Sequence, residues 1–250
     1  MINKIVDTVE EAVGEIYDGA TIMIGGTISC GVPFNLILAL IDKGVRNLTV
    51  IANAISETWE LAEAKRIKKY ICTFPVIPGK PNPLEEQYKV GNVEVEVVPM
   101  GTLTERIRAG GAGLPAFWSP VGVGTYYEMG KEKRVFDGKE CILEHALKAD
   151  FALIKGYKGD RMGNLTYRMT ARNINPIMAT AARVTIAEVE DIEDVIVDPE
   201  SIVTPGIFVD KVVKARKRTR WFGYGEYNVR PIQFMDEIKR KGNVLPSFPS

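Results

Sequence analysis

The chain has 250 residues, 46% of them apolar, with Lys+Arg 32 against Asp+Glu 32 and one histidine. That length allows one large domain or two small ones around a substantial core, and the balanced charge excludes a protein drawn as a whole to nucleic acid or to a membrane surface. No apolar run approaches the roughly 20 residues of a membrane span, and Met1-Ile2-Asn3-Lys4 lacks the basic start and apolar stretch of a secretion signal.

Helical and strand patterns alternate along the chain. Residues 9–16 place apolar side chains at helical spacing. Residues 21–25, Thr-Ile-Met-Ile-Gly, read as a buried strand that opens through Gly25-Gly26 into a short loop. Residues 33–42 follow as a helix with proline near its first turn, where a missing N–H is harmless. Gly44 stops it, and residues 47–53 form a second strand. Residues 58–66 read as helix and 67–74 as strand. Four prolines and a glycine make 75–83 a loop. Residues 84–88 begin a short helix, and the Val/Glu alternation of 93–98 is a strand with one wet face. Residues 103–109 are helical, and the glycine- and proline-rich stretch 110–124 is read as irregular. Residues 151–154 and 184–189 are later strands. Alternation of this kind implies an α/β fold with an open, mainly parallel sheet flanked by helices. The chain divides into a main domain, 1–220, and an extension, 221–250.

In such sheets ligands bind beyond the carboxyl ends of the strands. Gly25-Gly26, Asn53 and Pro99-Met100-Gly101 all occupy such ends. A glycine turn lets backbone N–H groups approach a ligand, and the helix N-terminus beyond it favours negative charge. Cys30 lies in that loop, where a thiolate would be stabilised; a small apolar loop residue is the plainer reading. Gly110, Gly111 and Gly113 open a second glycine loop, suited to close approach by a ligand or by another protein chain. His145 sits in Cys-Ile-Leu-Glu-His-Ala-Leu, read as the start of an amphipathic helix, and with no second histidine a histidine-centred triad would rest on it alone. Cys30, Cys72 and Cys141 are odd in number and widely spaced, which suits a reduced cytoplasmic protein. They form no CxxC or Cys/His cluster, so no metal site is expected. The basic run 211–220 and the aromatics Trp221, Phe222, Tyr224 and Tyr227 allow a nucleic-acid or adenine contact. With balanced charge elsewhere, a solvated helix end and an arm packing on a partner subunit is the simpler account.

Taken together, the blocks 18–26 and 30–53, 91–125, 136–182, 185–192 and 204–213 resemble the α subunit of family I CoA-transferases. The resemblance implies an α/β domain that pairs with a β subunit, often as an α2β2 heterotetramer. It implies coenzyme A as a substrate and no permanently bound cofactor. In this family a glutamate carboxylate attacks the acyl-CoA thioester, an enzyme-CoA thioester forms, and a second carboxylic acid collects the CoA. That glutamate belongs to a Glu-Asn-Gly motif of the β half, which this chain lacks, so the chain is expected to supply no nucleophile. Its expected role is to shape the acyl and oxyanion pocket through Gly25, Gly26, Thr27, Cys30, Phe34, Asn53, Met100 and Gly101.

Three positions depart from the family pattern. Thr27 replaces a phenylalanine, Phe34 an acidic residue, and Met100 a glutamine whose side chain is an oxyanion donor. Methionine cannot donate. Three readings stay open: a transferase subunit with an atypical acyl pocket; a same-fold acyl-CoA hydrolase, decarboxylase or C–C-cleaving enzyme; and a non-catalytic scaffold subunit.

Overall fold

The computed structural model describes residues 2–28, 30–76, 83–196 and 198–216; the 221–250 extension and its aromatic cluster lie outside them. In chain order the elements are β1 (Ile5–Val6), α1 (Val9–Ala12), β2 (Thr21–Ile24), α2 (Phe34–Lys43), β3 (Leu48–Ile51), α3 (Ile55–Glu63) and β4 (Ile67–Cys72). There follow α4 (Pro83–Lys89), β5 (Glu94–Val97), α5 (Met100–Gly111), β6 (Ala116–Ser119), β7 (Lys133–Phe136) and β8 (Lys139–His145). The described part closes with β9 (Ala149–Asp160), α6 (Asn175–Thr180), β10 (Ala182–Glu193) and β11 (Lys211–Lys214).

Eight strands form one sheet in the order β1-β11-β10-β9-β2-β3-β4-β5, and every pairing in it is parallel. Strands buried on both faces read as near-continuous apolar runs. In β2, Ile22 and Ile24 enter the core under α1 to α4, whereas Met23 points to the core under α5 and α6; all three are 0% exposed. Successive Cβ atoms alternate across a sheet, so one strand feeds both layers. The chain runs outward from β2 through β3, β4 and β5, then returns to β9 on the other side of β2. The strand order therefore reverses between β2 and β9, and a crevice opens there beyond the carboxyl ends of the strands. β9 and β10 continue past that level, still paired at Gly159 and Ile192.

A second sheet, β6-β8-β7, is antiparallel and corrects two expectations. The stretch 110–124 is not wholly irregular: its first two residues end α5 and 116–119 form β6. His145 ends a strand, not a helix start, and its side chain is exposed. The signal for this strand lies upstream. Asp137 and Gly138, with φ of 48° and 75°, make the two-residue turn between β7 and β8, and Asp-Gly is favoured where both turn residues need positive φ. Two helices also begin earlier than expected, α3 at Ile55 and α5 at Met100, and α1 is one turn long. Among the described residues no helix is long and apolar enough to cross a membrane.

Candidate functional site

The loop after β2 is clamped from several sides. The Gly25 N–H donates to the Leu153 carbonyl of β9 at 2.9 Å. A Cβ on Gly25 would stand 1.8 Å from Asn175 Oδ1, and Gly26, at φ +119°, would place one 2.4 Å from Val32 Cγ2. Thr27 and Cys30 exchange both backbone hydrogen bonds at 3.0 Å, closing a tight turn in which Ile28 has φ 50°. Thr27 Oγ1 donates to the Gly26 carbonyl at 2.8 Å, and the Cys30 sulfur lies 3.2 Å from Thr170 Oγ1.

Two asparagines hold one flank of the loop. Asn173 Nδ2 donates to the Cys30 carbonyl at 2.9 Å. Asn175, 0% exposed, donates from Nδ2 to the Gly31 carbonyl at 3.0 Å and accepts the Lys155 N–H at Oδ1, also at 3.0 Å. Glu57 of α3 holds the other flank. Its Oε1 accepts the Ile28 N–H at 2.7 Å and its Oε2 accepts the Ala54 N–H at 2.6 Å. This carboxyl is completely buried. Burial raises its pKa to about 7, against the opposing pull of those N–H groups.

Asn53 follows β3 at the same edge. Its carbonyl accepts the Thr73 and Phe74 N–H groups at 3.0 Å each. Its side chain is 1% exposed, yet both amide atoms lack a hydrogen-bond partner among the described residues. The Thr73 and Thr102 hydroxyls, beside the ends of the neighbouring strands β4 and β5, share that condition. An unmet buried polar group costs about 1–3 kcal/mol, which sets these side chains apart from the hydrogen-bonded loop beside them.

The structure does not gather all the expected site residues. Gly25, Gly26, Thr27, Cys30 and Asn53 share the neighbourhood of the strand-order reversal. Met100, 41% exposed, begins α5 beyond β5, with Gly101 exposed beside it. β5 lies three strands from β2, about 14 Å at ~4.8 Å per strand. Phe34 instead lines a 480 Å³ cavity over β9 and β10, with Gly31, Lys155, Arg168 and Glu188 among its neighbours. The three departures from the family pattern therefore do not converge on one pocket within this chain.

The start of α2 is also not free to attract a ligand's charge. Glu188, 2% exposed, accepts from the Asn35 and Leu36 N–H groups at 2.8 and 3.1 Å, from Asn35 Nδ2 at 3.1 Å and from Lys155 Nζ at 3.1 Å. A carboxylate of the chain itself already meets the positive helix end.

Gly110 and Gly111 belong to α5, not to a loop. A Cβ on Gly110 would stand 2.0 Å from the Leu147 carbonyl oxygen, and one on Gly111 2.0 Å from Thr180 Oγ1. These glycines seat the helix against its own chain, and Gly113 follows at φ +76° with open space around it. Sequence reasoning passed over Glu57, Asn173, Asn175 and Glu188. Only Glu57 left a trace, as an acidic residue at the third position of a helix, where it bonds back to the N-cap N–H; the N-cap is Ala54, which hid the pattern. Among the described residues no group of His, Cys, Asp or Glu side chains could hold a metal ion.

A family model described as Coenzyme A transferase matches residues 6–215. The chain is 48% identical over 218 residues to the α subunit of 3-oxoadipate CoA-transferase of Pseudomonas putida, covering 85% of this chain and 94% of that protein. It is 45% identical over 217 residues to the α subunit of the probable succinyl-CoA:3-ketoacid coenzyme A transferase of Bacillus subtilis, covering 85% and 90%. An acyl-CoA transferase of Escherichia coli O157:H7, solved as a thioester complex with CoA, matches in fold with a TM-score of 0.74 at 23% identity, over 89% of this chain and 49% of that one.

Proposed function

Because this chain belongs to the coenzyme A transferase family as an α subunit, we propose that it joins a β subunit, in an α2β2 assembly, to move CoA between an acyl-CoA and a carboxylic acid in the cytoplasm. Coenzyme A is a substrate in this scheme and no resident cofactor takes part. The nucleophile is a glutamate of the β subunit. Its carboxylate attacks the thioester carbonyl, the C–S bond breaks and CoA leaves as the thiolate. The thiolate then attacks the glutamyl carbonyl, freeing the first acid and leaving CoA on the enzyme as a thioester. The second acid reverses these steps and departs as the new acyl-CoA.

This chain supplies the wall that faces the acyl group. The observation that carries this reading is the unmatched Asn53 amide set beside a glycine turn fixed by Glu57, Asn173 and Asn175. A donor held in place before charge develops stabilises an oxyanion without reorganising; removing one such donor elsewhere has raised barriers by about 2.7–4 kcal/mol. Met100 offers no donor, and the Gly25, Thr27, Ile28 and Cys30 N–H groups already donate within the chain, so Asn53 Nδ2 is the candidate on this side. Thr27 and Cys30 form the adjoining wall, while Met100 and Gly101 border the acid's outer end.

The deciding experiment is mass spectrometry of the αβ complex after incubation with a panel of acyl-CoAs and trapping with borohydride or hydroxylamine. A modified glutamate on the β subunit is the expected result. Free CoA or carbon dioxide released without any adduct would replace transfer by hydrolysis or decarboxylation.

A further inference from the structure

The turn at 27–30 conflicts with the residue that builds it. A two-residue turn between paired backbone segments needs positive φ at its first central residue and favours Gly, Asn or Asp there. This chain places Ile28, β-branched, at that point with φ 50°. The conformation is a strained one, and such residues persist where their surroundings over-determine them. The Ile28 side chain is 68% exposed, so packing of that side chain does not hold it. The fixed contact is the N–H of Ile28, which donates to Glu57 Oε1 at 2.7 Å. The other oxygen of the same carboxyl takes the Ala54 N–H at 2.6 Å, one residue beyond Asn53.

We infer that Glu57 is a positioning residue which holds the strained 27–30 turn and sets its distance from Asn53, registering the two loops at the ends of β2 and β3 against each other. One rigid carboxyl, two oxygens and one N–H from each loop make this a cross-brace. The ionised carboxyl suits it, since both oxygens then act purely as acceptors. The groups facing Glu57 do not compete for this role. Ser56 and Thr58 flank it on α3, and the Thr58 hydroxyl donates to Tyr70 at 3.0 Å. From β4, the Tyr70 and Cys72 side chains are pushed up by burial and stay uncharged at neutral pH. The consequence for turnover rests on the transfer reading above; the brace itself does not.

The test uses the αβ complex with Glu57→Gln, Ile28→Gly and the double variant, read by steady-state kinetics and by amide hydrogen exchange over 25–31 and 53–55 without substrate. A glutamine keeps one acceptor oxygen but turns an NH2 toward the second N–H. Glu57→Gln is expected to speed exchange in both loops about tenfold and to lower kcat about tenfold with KM within about twofold. Ile28→Gly relieves the turn, so on that background Glu57→Gln is expected to lower kcat no more than about threefold. Equal effects of Glu57→Gln on both backgrounds, or unchanged exchange in the variant, would each overturn the inference. Because exchange needs no turnover, it decides the question even if the complex proves not to transfer CoA.

Discussion

Two glycine pairs look alike along the chain and serve different ends. Gly25-Gly26 leaves a strand at the point where strand order reverses, and Gly26 takes a φ of +119° that side chains avoid. The loop they open is tied by polar bonds from α3 and from the segment before β10. Gly110-Gly111 closes a helix, needs no unusual φ, and lets α5 sit directly on Leu147 and Thr180. In the first pair Gly25 makes room for Asn175 and Gly26 supplies the unusual φ of the turn, whereas both members of the second let elements touch. A glycine pair in sequence thus announces close approach but not what approaches.

Substitutions sharpen that contrast. The largest effect belongs to the packing pair. Gly110→Ala drives a Cβ into a backbone carbonyl at 2.0 Å, which cannot rotate away, and is expected to destabilise the chain by about 3 kcal/mol or more in urea unfolding. A change under about 1 kcal/mol would show that α5 shifts freely and would dissolve the comparison.

The polar bracing of the other pair gives a pH effect of similar size. Glu57 has a pKa of about 7 folded, raised from 4.5. A raised carboxyl contributes stability that is fully present below about pH 4.5 and is lost as pH rises through 7, by roughly 3 kcal/mol. Unfolding curves between pH 4.5 and 8 are expected to show this fall against a Glu57→Gln reference, whose neutral amide does not titrate. A difference that does not change with pH would mean that water reaches the carboxyl.

Asn53→Leu separates stability from chemistry. The apolar side chain has similar volume and no unmet groups, so the variant chain is expected to gain about 1 kcal/mol while kcat of the αβ complex falls about tenfold or more. Equal turnover would remove Asn53 from the acyl wall. The smallest change is Gly101→Val. A Cβ there meets nothing within 4 Å, so stability is expected to stay within about 0.5 kcal/mol, and any rise in KM then reports contact with the acid or with the β subunit.

Legibility followed how local each signal is. The strand β2, the helix α2 and the loop between them stood out because buried parallel strands are apolar throughout and glycine marks the turn. Hidden were contacts joining residues far apart in sequence. Asn175 reaches Gly31, and Glu188 caps α2 across more than a hundred residues; no spacing rule encodes them. The strand β8 reads as a helix start from its own residues because Cys141, Ile142 and Leu143 next to Ala146 and Leu147 fit helical spacing too; the Asp137-Gly138 turn upstream resolves the ambiguity. The helix start at α2 suggested an anion site, and only the folded chain revealed that Glu188 already fills it.

Apolar period, glycine placement and the long family-like blocks were enough, from sequence alone, to specify a parallel α/β fold and the α subunit of a CoA-transferase, because each is written in consecutive residues. Which glycines sit at a strand end and which close a helix, that Phe34 and Met100 lie on opposite sides of the β2 loop, and that one buried carboxyl ties the Ile28 and Ala54 loops together were decided by tertiary structure. Strand order sets those distances, and burial sets how strongly the polar groups hold.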